Sequence, residues 1–179
     1  MRYFRDTFSD TFLTTVGIDK ETRIIKIKDK PYRITLWDTA GQERFRSLPI
    51  KYYQNADGVL LFFDVSDKRS FENVDVWFED AKKNIKNNSR TNIFLIGNKI
   101  DLKRVVTKEE AIKKANECGM KYFEVSCKIN MNVTEVMSNL IYNCYEYIEN
   151  IGGGAKLDRR KTKKRKGDGG CCGGGNSKK

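Results

Sequence analysis

Three short polar clusters carry the side chains with which this sequence could do chemistry. They are Asp38 to Gln42, Asn98 to Asp101 and Ser126 to Lys128, and each follows an apolar segment. The chain contains no histidine, which removes the commonest general base and the usual Ser/His and Cys/His nucleophile pairs. Any reaction here must therefore use carboxylates, amides, hydroxyls or a bound ion.

Apolar segments of two kinds position these clusters. Val59 to Val65 and Asn92 to Gly97 are near-continuous apolar runs, which are typical of parallel strands buried on both faces, while Tyr32 to Trp37 alternates as an edge strand does. The spacing of Thr107 and Glu110 predicts a capping box at the start of the helix predicted from Lys108. The predicted helices are Ser70–Asn87, Lys108–Cys118 and Val133–Ile148, and a further strand is predicted at Lys121–Val125. This order predicts an open α/β sheet with right-handed crossovers, whose ligand site lies beyond the carboxyl ends of the strands, where the polar clusters converge.

The length, hydrophobic content and charge distribution of the chain indicate one globular domain with a basic tail. At 179 residues, 39% of them hydrophobic, the chain has material for one core and is short for two domains. Of the net charge of +11, the segment from Lys156 to Lys179 carries +8, from ten Lys or Arg and two Asp, so +3 remains for the first 155 residues. We expect a domain over residues 1–151 and a flexible tail over residues 152–179. The five cysteines lack metal-type spacing and no apolar run approaches the roughly 20 residues that cross a bilayer, so reduced thiols in a cytosolic protein are expected.

Four short motifs occur in a fixed order along the chain. Thr14–Ile18 comes first, followed by the three polar clusters, and each motif alone is a weak signal. Together, their order, intervals and positions after strands closely resemble those of the Ras-like small GTPases. The features that make the resemblance specific to the Rab family are Trp37, Arg44–Leu48, Tyr52–Tyr53 and Phe63–Ser66. The resemblance covers roughly Arg2 to Ile151 and implies a monomeric GTP-binding switch with a three-layer α/β fold of the P-loop-NTPase type, helices lying on both faces of the sheet.

The resemblance also implies a site for GTP or GDP with Mg²⁺. Thr15 and Asp38 would hold Mg²⁺, the Gly41 amide would approach the γ-phosphate, and Gln42 would orient the attacking water as the catalytic residue. Asp101 would accept hydrogen bonds from guanine N1–H and the exocyclic amine, a donor pair that adenine lacks. The complete set of implied nucleotide contacts is Thr15, Asp38, Gly41, Asn98, Lys99, Asp101, Ser126, Cys127 and Lys128.

Within the base site, each residue has an implied task. Asn98 would tie neighbouring loops together, and the stem of Lys99 would lie along the purine face. The backbone amides of Ser126–Lys128 would reach the guanine oxygen. Cys127 stands where the family usually has alanine, and we interpret it as a small, buried apolar residue.

The start of the chain departs from the family pattern. The family has an interior strand, a phosphate-binding loop of G-x-x-x-x-G-K-[ST] type and a helix ahead of the switch I threonine, whereas only 14 residues precede Thr15. We expect a truncated chain, open strand edges beside an apolar slot, and weak GTP binding. A protein-binding module without nucleotide is the alternative. A nucleic-acid-binding protein would explain the basic charge but none of the four motifs.

A partner surface is implied at the switches. Ile18, Trp37, Phe45 and Tyr52 are the expected effector contacts, and Lys20 stands where Rab proteins commonly carry an aromatic residue, so the partner surface should differ. Core packing explains Trp37 and Tyr52 equally well. The family also implies an exchange factor, a GTPase-activating protein and a dissociation inhibitor as partners.

The tail resembles a membrane anchor. Cys171 and Cys172 lie in a glycine-rich, basic extension, as do the doubly geranylgeranylated cysteines of Rab proteins, although seven residues follow them here. Lys156 to Lys166 would add attraction to anionic lipid, and Lys161 to Lys166 would equally serve a nucleic-acid-binding arm or a nuclear targeting run. The resemblance implies a cytoplasmic protein that cycles onto the cytosolic face of endomembranes in vesicle traffic.

Overall fold

The computed structural model describes residues 2–9, 15, 17–39, 41, 50–85 and 91–152. In chain order the elements are α1 (Arg2–Arg5), β1 (Ile18–Ile27), β2 (Lys30–Thr39), α2 (Ile50–Tyr53), β3 (Gly58–Asp64), α3 (Lys68–Glu72), α4 (Val74–Asn84), β4 (Asn92–Asn98), α5 (Lys108–Glu117), β5 (Lys121–Glu124) and α6 (Val133–Gly152). Within these residues, no helix combines the length and the apolar character that crossing a bilayer needs.

A parallel sheet in the order β3-β4-β5 forms the centre of the fold. β3 and β4 pair in register from Gly58 opposite Asn92 to Asp64 opposite Asn98, and β5 pairs with the other edge of β4. Phe94 to Ile96 in β4 are at most 1% exposed. Both faces of this strand are covered, which is why its sequence is a continuous apolar run. All three strands of this sheet are confirmed to within one residue of their predicted bounds.

Helices cover both faces of the parallel sheet and give three layers. On one face, Leu61, Phe63 and Leu95 pack in a core cluster with residues of α3, α4 and α5. On the other face, Phe94 and Ile96 pack in a second cluster with residues of α6. Successive residues of a strand point to opposite faces, so β4 supplies side chains to both cores. The predicted three-layer α/β fold is confirmed.

An antiparallel hairpin of β1 and β2 stands outside the parallel sheet. Lys28 and Asp29 form its two-residue turn with φ values of 47° and 64°, the left-handed region that a type I′ turn requires. The sequence pattern predicts only Tyr32 to Trp37 of this hairpin. β1 escapes prediction because its adjacent apolar residues, Ile24 and Ile25, break the two-residue period of a strand.

Within the described residues, the five strands form two sheets, so β2 and β3 each have an open edge. Side-chain contacts with the helices hold the hairpin in place. Arg5 Nε of α1 lies 3.1 Å from the Glu21 carboxylate, and the Tyr32 hydroxyl donates to Glu149 of α6 at 2.8 Å. Phe62, in the middle of β3, is 51% exposed. Open strand edges are also what the resemblance to the family leads us to expect for this part of the fold.

One predicted helix needs correction. The segment predicted as Ser70–Asn87 contains two helices, α3 and α4, that meet at Asn73. The first begins at Lys68 because the Asp67 side chain accepts a hydrogen bond from the Arg69 amide and caps the helix. The second ends at Asn84 because the next residue, Ile85, has an extended backbone.

The start of α5 confirms the predicted capping box. The Thr107 hydroxyl accepts from the Glu110 amide at 3.2 Å, and a Glu110 carboxylate oxygen accepts from the Thr107 amide at 2.8 Å. Lys68 Nζ lies 2.6 Å from the other Glu110 oxygen. The same carboxylate therefore caps α5 and links it to α3.

Replacing Glu110 by Gln is expected to reduce the loss of stability in acid. The hydrogen bond from Lys68, together with those from Thr107, lowers the pKa of Glu110 from 4.5 to about 2. Because the folded pKa lies below the unfolded one, this stabilisation is complete above about pH 4.5 and is lost as the pH falls toward about 2. Glutamine preserves the capping box without titrating. Urea unfolding across this pH range should show a smaller loss for the variant; an equal loss would contradict the assignment.

Candidate functional site

Asn98, at the carboxyl end of β4, joins two of the polar clusters. Its side-chain oxygen accepts from the Lys99 amide at 2.8 Å and from the Cys127 amide at 3.3 Å. β4 and β5 are neighbours in the parallel sheet, so the loops that follow them leave at the same edge. One carboxamide thus fixes the loop after β4 to the loop after β5.

Asp101 and Ser126 form a second link between these loops. The Ser126 hydroxyl, which is fully buried, donates to Asp101 Oδ1 at 2.5 Å and accepts from the Ile129 amide at 3.3 Å. Asp101 itself is exposed. A carboxylate has about four acceptor sites, so this hydrogen bond orients Asp101 and leaves acceptor capacity for a ligand. The site therefore presents a fixed carboxylate that can receive two parallel N–H groups.

Lys99 is held by a residue whose role the motif does not indicate. Its ammonium lies 2.6 Å from Asp64 Oδ2, at the carboxyl end of β3, and its φ of 64° is left-handed. Asp64 also accepts from the amide and hydroxyl of Ser66 at 2.8 and 2.6 Å. Partial burial opposes ionisation of Asp64, but the hydrogen bonds from Lys99 and Ser66 prevail and lower its pKa. Asp64 reaches Lys99 because it lies opposite Asn98 in the sheet register.

Backbone amides of the loop at Ser126–Lys128 donate hydrogen bonds to other residues of the protein. The Ser126 amide donates to the Met131 carbonyl at 3.1 Å, and the Cys127 amide donates to Asn98. A ligand oxygen would have to share these two amides. Cys127 is half-buried, and burial raises the pKa of its thiol, while Lys128 is exposed. The neutral thiol fits the small apolar role expected of Cys127.

Thr15 and Asp38 lie together in a separate part of the site. The Thr15 hydroxyl donates to Asp38 Oδ2 at 3.3 Å. Near Gly41, no atom of the described residues lies within 4 Å of the position a Cβ would take, so its backbone is open to a ligand. Gln42 and Phe45 lie outside the described residues.

The oxygens of Thr15 and Asp38 could supply two of the ligands of a Mg²⁺ ion. Mg²⁺ commonly takes one or two protein ligands and completes its coordination with water and substrate phosphates. A hydroxyl and a carboxylate side by side match that pattern. In the described ranges, no group of three or more His, Cys, Asp or Glu residues could hold a metal alone.

The expected effector contacts form an aromatic pair on the outside of the hairpin. The rings of Trp37 and Tyr52 have centroids 4.6 Å apart, and Lys20 Nζ lies 5.1 Å from the Trp37 ring centroid. Ile18 is half-buried at the start of β1. The lysine therefore packs over the indole, where the family pattern has an aromatic residue.

Parallel strands whose carboxyl ends carry a fixed carboxylate, an anchored lysine and a bridging asparagine are the arrangement expected of an α/β domain of the P-loop-NTPase class. Comparison of the sequence with known protein families agrees with this fold class. The Ras family model matches residues 1–146, and this chain belongs to the Ras family of small GTPases, among which it is Rab-like.

The most similar relatives include three Rab-like proteins. The chain is 42% identical to "Ras-related protein Rab-13" of Canis lupus familiaris over 142 residues, which cover 78% of this chain and 69% of that protein. It is 41% identical to "Ras-related protein SEC4" of Candida albicans over 157 residues, covering 86% and 74%. It is 42% identical to "GTP-binding protein ypt2" of Schizosaccharomyces pombe over 144 residues, covering 78% and 70%.

Proposed function

We propose that this protein is a Rab-type switch that binds GTP or GDP with Mg²⁺ and acts in vesicle-mediated membrane traffic. The observation that carries the proposal is the exposed Asp101 carboxylate, oriented by the buried Ser126 hydroxyl. Guanine presents two adjacent donors to such a carboxylate and adenine does not, so the site selects guanine. Membership of the Ras family and the name of the relative "GTP-binding protein ypt2" support the same ligand.

Hydrolysis of GTP would use the switch residues. Gln42 orients a water molecule in line with the γ-phosphorus, whose bond to the β,γ-bridging oxygen breaks to release GDP and phosphate. Thr15 and Asp38 supply oxygens for Mg²⁺, and the Gly41 amide donates to a γ-phosphate oxygen. Bound Mg²⁺ would neutralise charge on the phosphates. From the resemblance to the family we expect slow hydrolysis that a GTPase-activating protein accelerates.

Partner proteins would recognise which nucleotide is bound, and lipid groups would attach the protein to membranes. Ordering of the switches by the γ-phosphate gates effector binding at Ile18, Trp37, Phe45 and Tyr52. An exchange factor and a dissociation inhibitor complete the expected partner set, and the protein acts as a monomer. Geranylgeranyl groups on two tail cysteines, Cys171 and Cys172, would anchor the protein to the cytosolic face of endomembranes. Two lipid chains give stable membrane binding, whereas one chain gives only marginal binding.

Calorimetric titration of the full chain with GTP and Mg²⁺ tests the proposal. Circular dichroism establishes that the sample is folded, and ATP with Mg²⁺ is the matched control. Saturable binding of GTP but not ATP is the expected result. A folded chain that binds neither nucleotide would overturn the proposal and favour the protein-binding module.

Replacing Asp64 by Asn is expected to weaken GTP binding about tenfold without changing the preference for guanine. The substitution keeps the side-chain shape but removes the charge that holds the Lys99 ammonium, and such charge-assisted contacts contribute about 1.5–3 kcal/mol. Asp64 lies beside Lys99 rather than at the base edge. Calorimetry with GTP and ATP measures both quantities. Ser66→Ala, which keeps the ion pair, is the control and should bind GTP nearly as wild type does.

A further inference from the structure

A tight loop after β5 carries Cys127 and Lys128, two of the residues implied in base binding. Residues 126–131, called here the base loop, are closed by two backbone hydrogen bonds between Ser126 and Met131, of 3.1 and 2.9 Å. Contacts with the loop after β4 hold the first residues of the base loop. The far side of the base loop is held by a different part of the chain.

Asn130 attaches the far side of the base loop to the residue that follows α1. Its side-chain amide donates to Asp6 Oδ1 at 3.1 Å, across 124 positions of sequence. Asn130 and Asp6 both have left-handed backbones, with φ values of 56° and 48°. Asparagine and aspartate adopt this conformation more readily than other residues that carry a side chain. Each residue type therefore suits both the backbone and the contact.

Asp6 is in turn fixed to α1. Its amide donates to the Arg2 carbonyl at 2.9 Å, and Arg2 Nη1 donates to the Asp6 carbonyl at 3.1 Å. Arg2 Nε lies 3.5 Å from Asp6 Oδ1, a charge contact without hydrogen-bond geometry. The Arg2 side chain is 19% exposed and that of Asp6 is 78% exposed. One carboxylate oxygen therefore joins a largely buried guanidinium to the base loop from the solvent side.

α1 gives the base loop a fixed support. Phe4 is buried, and its carbonyl accepts from Arg23 of the hairpin. Tyr3 packs against the core cluster between the parallel sheet and α6, as Cys127 of the base loop does. Burial raises the pKa of the Cys127 thiol, which keeps the thiol neutral and slow to react while this packing is intact. Reactivity of this thiol therefore reports whether the base loop stays packed.

We propose that Asp6 is a positioning residue for the nucleotide: through Asn130 it holds the base loop against α1 and slows release of GDP and GTP. The inference rests on the proposed function and adds to it a contact outside the base-reading motifs. Cys127 and Lys128 lie between the part of the loop held by Asn98 and the part held by Asp6. A loop fixed on both sides has fewer open conformations through which the base can leave.

Reciprocal exchange of the two side chains tests the contact. In Asn130→Asp two carboxylates face each other, and the left-handed backbone is still tolerated. Adding Asp6→Asn places an amide opposite a carboxylate again, with the net charge of the wild type. Asn139→Asp is the matched control, because Asn139 is exposed on α6 and its amide donates within that helix, to the Glu135 carbonyl.

Release of a fluorescent GDP analogue from the full chain, chased with excess GDP, is the first measurement. We expect Asn130→Asp to speed release about tenfold, the effect of two like charges about 3 Å apart in water. The double variant should return to within about twofold of wild type, and Asn139→Asp should stay within about twofold. Unchanged release in Asn130→Asp, equal effects of Asn130→Asp and Asn139→Asp, or a double variant as fast as Asn130→Asp would each overturn the proposal.

Alkylation of the nucleotide-free full chain with N-ethylmaleimide is a second measurement that needs no ligand. Peptide mass spectrometry after a timed pulse reports Cys127, with Cys118 as the reference thiol on the other face of the sheet. We expect Asn130→Asp to raise the Cys127 rate at least about fivefold and the double variant to reverse the rise. An equal rise at Cys118 would indicate general destabilisation and overturn the proposal. A chain that binds no nucleotide would overturn the proposed function, and the Cys127 rates would still decide whether Asp6 holds the base loop.

Discussion

Replacing Asp101 by Asn is expected to weaken binding of GTP and GDP about 100-fold, or about 2.8 kcal/mol. The carboxylate offers acceptors to both guanine donors, whereas the asparagine side chain keeps one acceptor and turns a donor toward the second guanine donor. Two facing donors leave each other unsatisfied, which costs more than the loss of one hydrogen bond. Ser126, fully buried, still finds the asparagine oxygen as its acceptor, so the fold should survive.

Binding of xanthine nucleotides tests whether Asp101 recognises the base or only supports the structure. Xanthine carries a carbonyl where guanine carries its exocyclic amine, so the asparagine amide can donate to it. We expect the Asp101→Asn variant to bind xanthosine triphosphate more tightly than GTP, the reverse of the wild-type order. Competition against a fluorescent GDP analogue measures both affinities. If the variant lost both nucleotides equally while remaining folded, Asp101 would not read the base.

Motif spacing predicts that the loops after β4 and β5 meet, because local sequence and strand order determine where they lie. Asn98 ends a buried strand, Ser126 follows the next parallel strand, and the two loops meet because those strands are neighbours. The links through the Asn98 carboxamide and the Ser126 hydroxyl then follow from residue type at fixed positions. Such short-range geometry can be read from a sequence.

Other features depended on contacts that are distant in sequence. The ion pair between Asp64, at the end of β3, and Lys99, in the loop after β4, joins residues that are distant in sequence, and nothing in the local pattern of either residue indicates the other. β1 was missed because hairpin pairing and contacts with α1, rather than an alternating pattern, keep it extended. The start of the first helix at Lys68 depends on the cap at Asp67, a side-chain contact that apolar periodicity does not register.

Neighbouring phenylalanines in β3 have opposite surroundings. Phe63 is 3% exposed and its ring centroid lies 4.9 Å from that of Phe71. Gly97 of β4 also contacts it, because a Cβ on that glycine would lie 3.2 Å from Phe63 Cζ. Phe62 points the other way and is 51% exposed. The strand pattern alone treats these two residues as equivalent core positions, whereas their side chains lie on opposite faces of β3 and that of Phe63 packs against α3.

Replacing Phe63 by Ala is therefore expected to lower the free energy of unfolding by about 3–5 kcal/mol, because it removes a buried ring and leaves a cavity. The matched change Phe62→Ala should cost about 1 kcal/mol, since about half of that ring is already in water. Urea unfolding followed by circular dichroism measures both, with Phe63→Leu as a milder variant if the alanine variant does not fold. Equal costs at the two positions would mean that Phe62 is covered in solution, by a further strand or by another protein molecule along the open edge of β3.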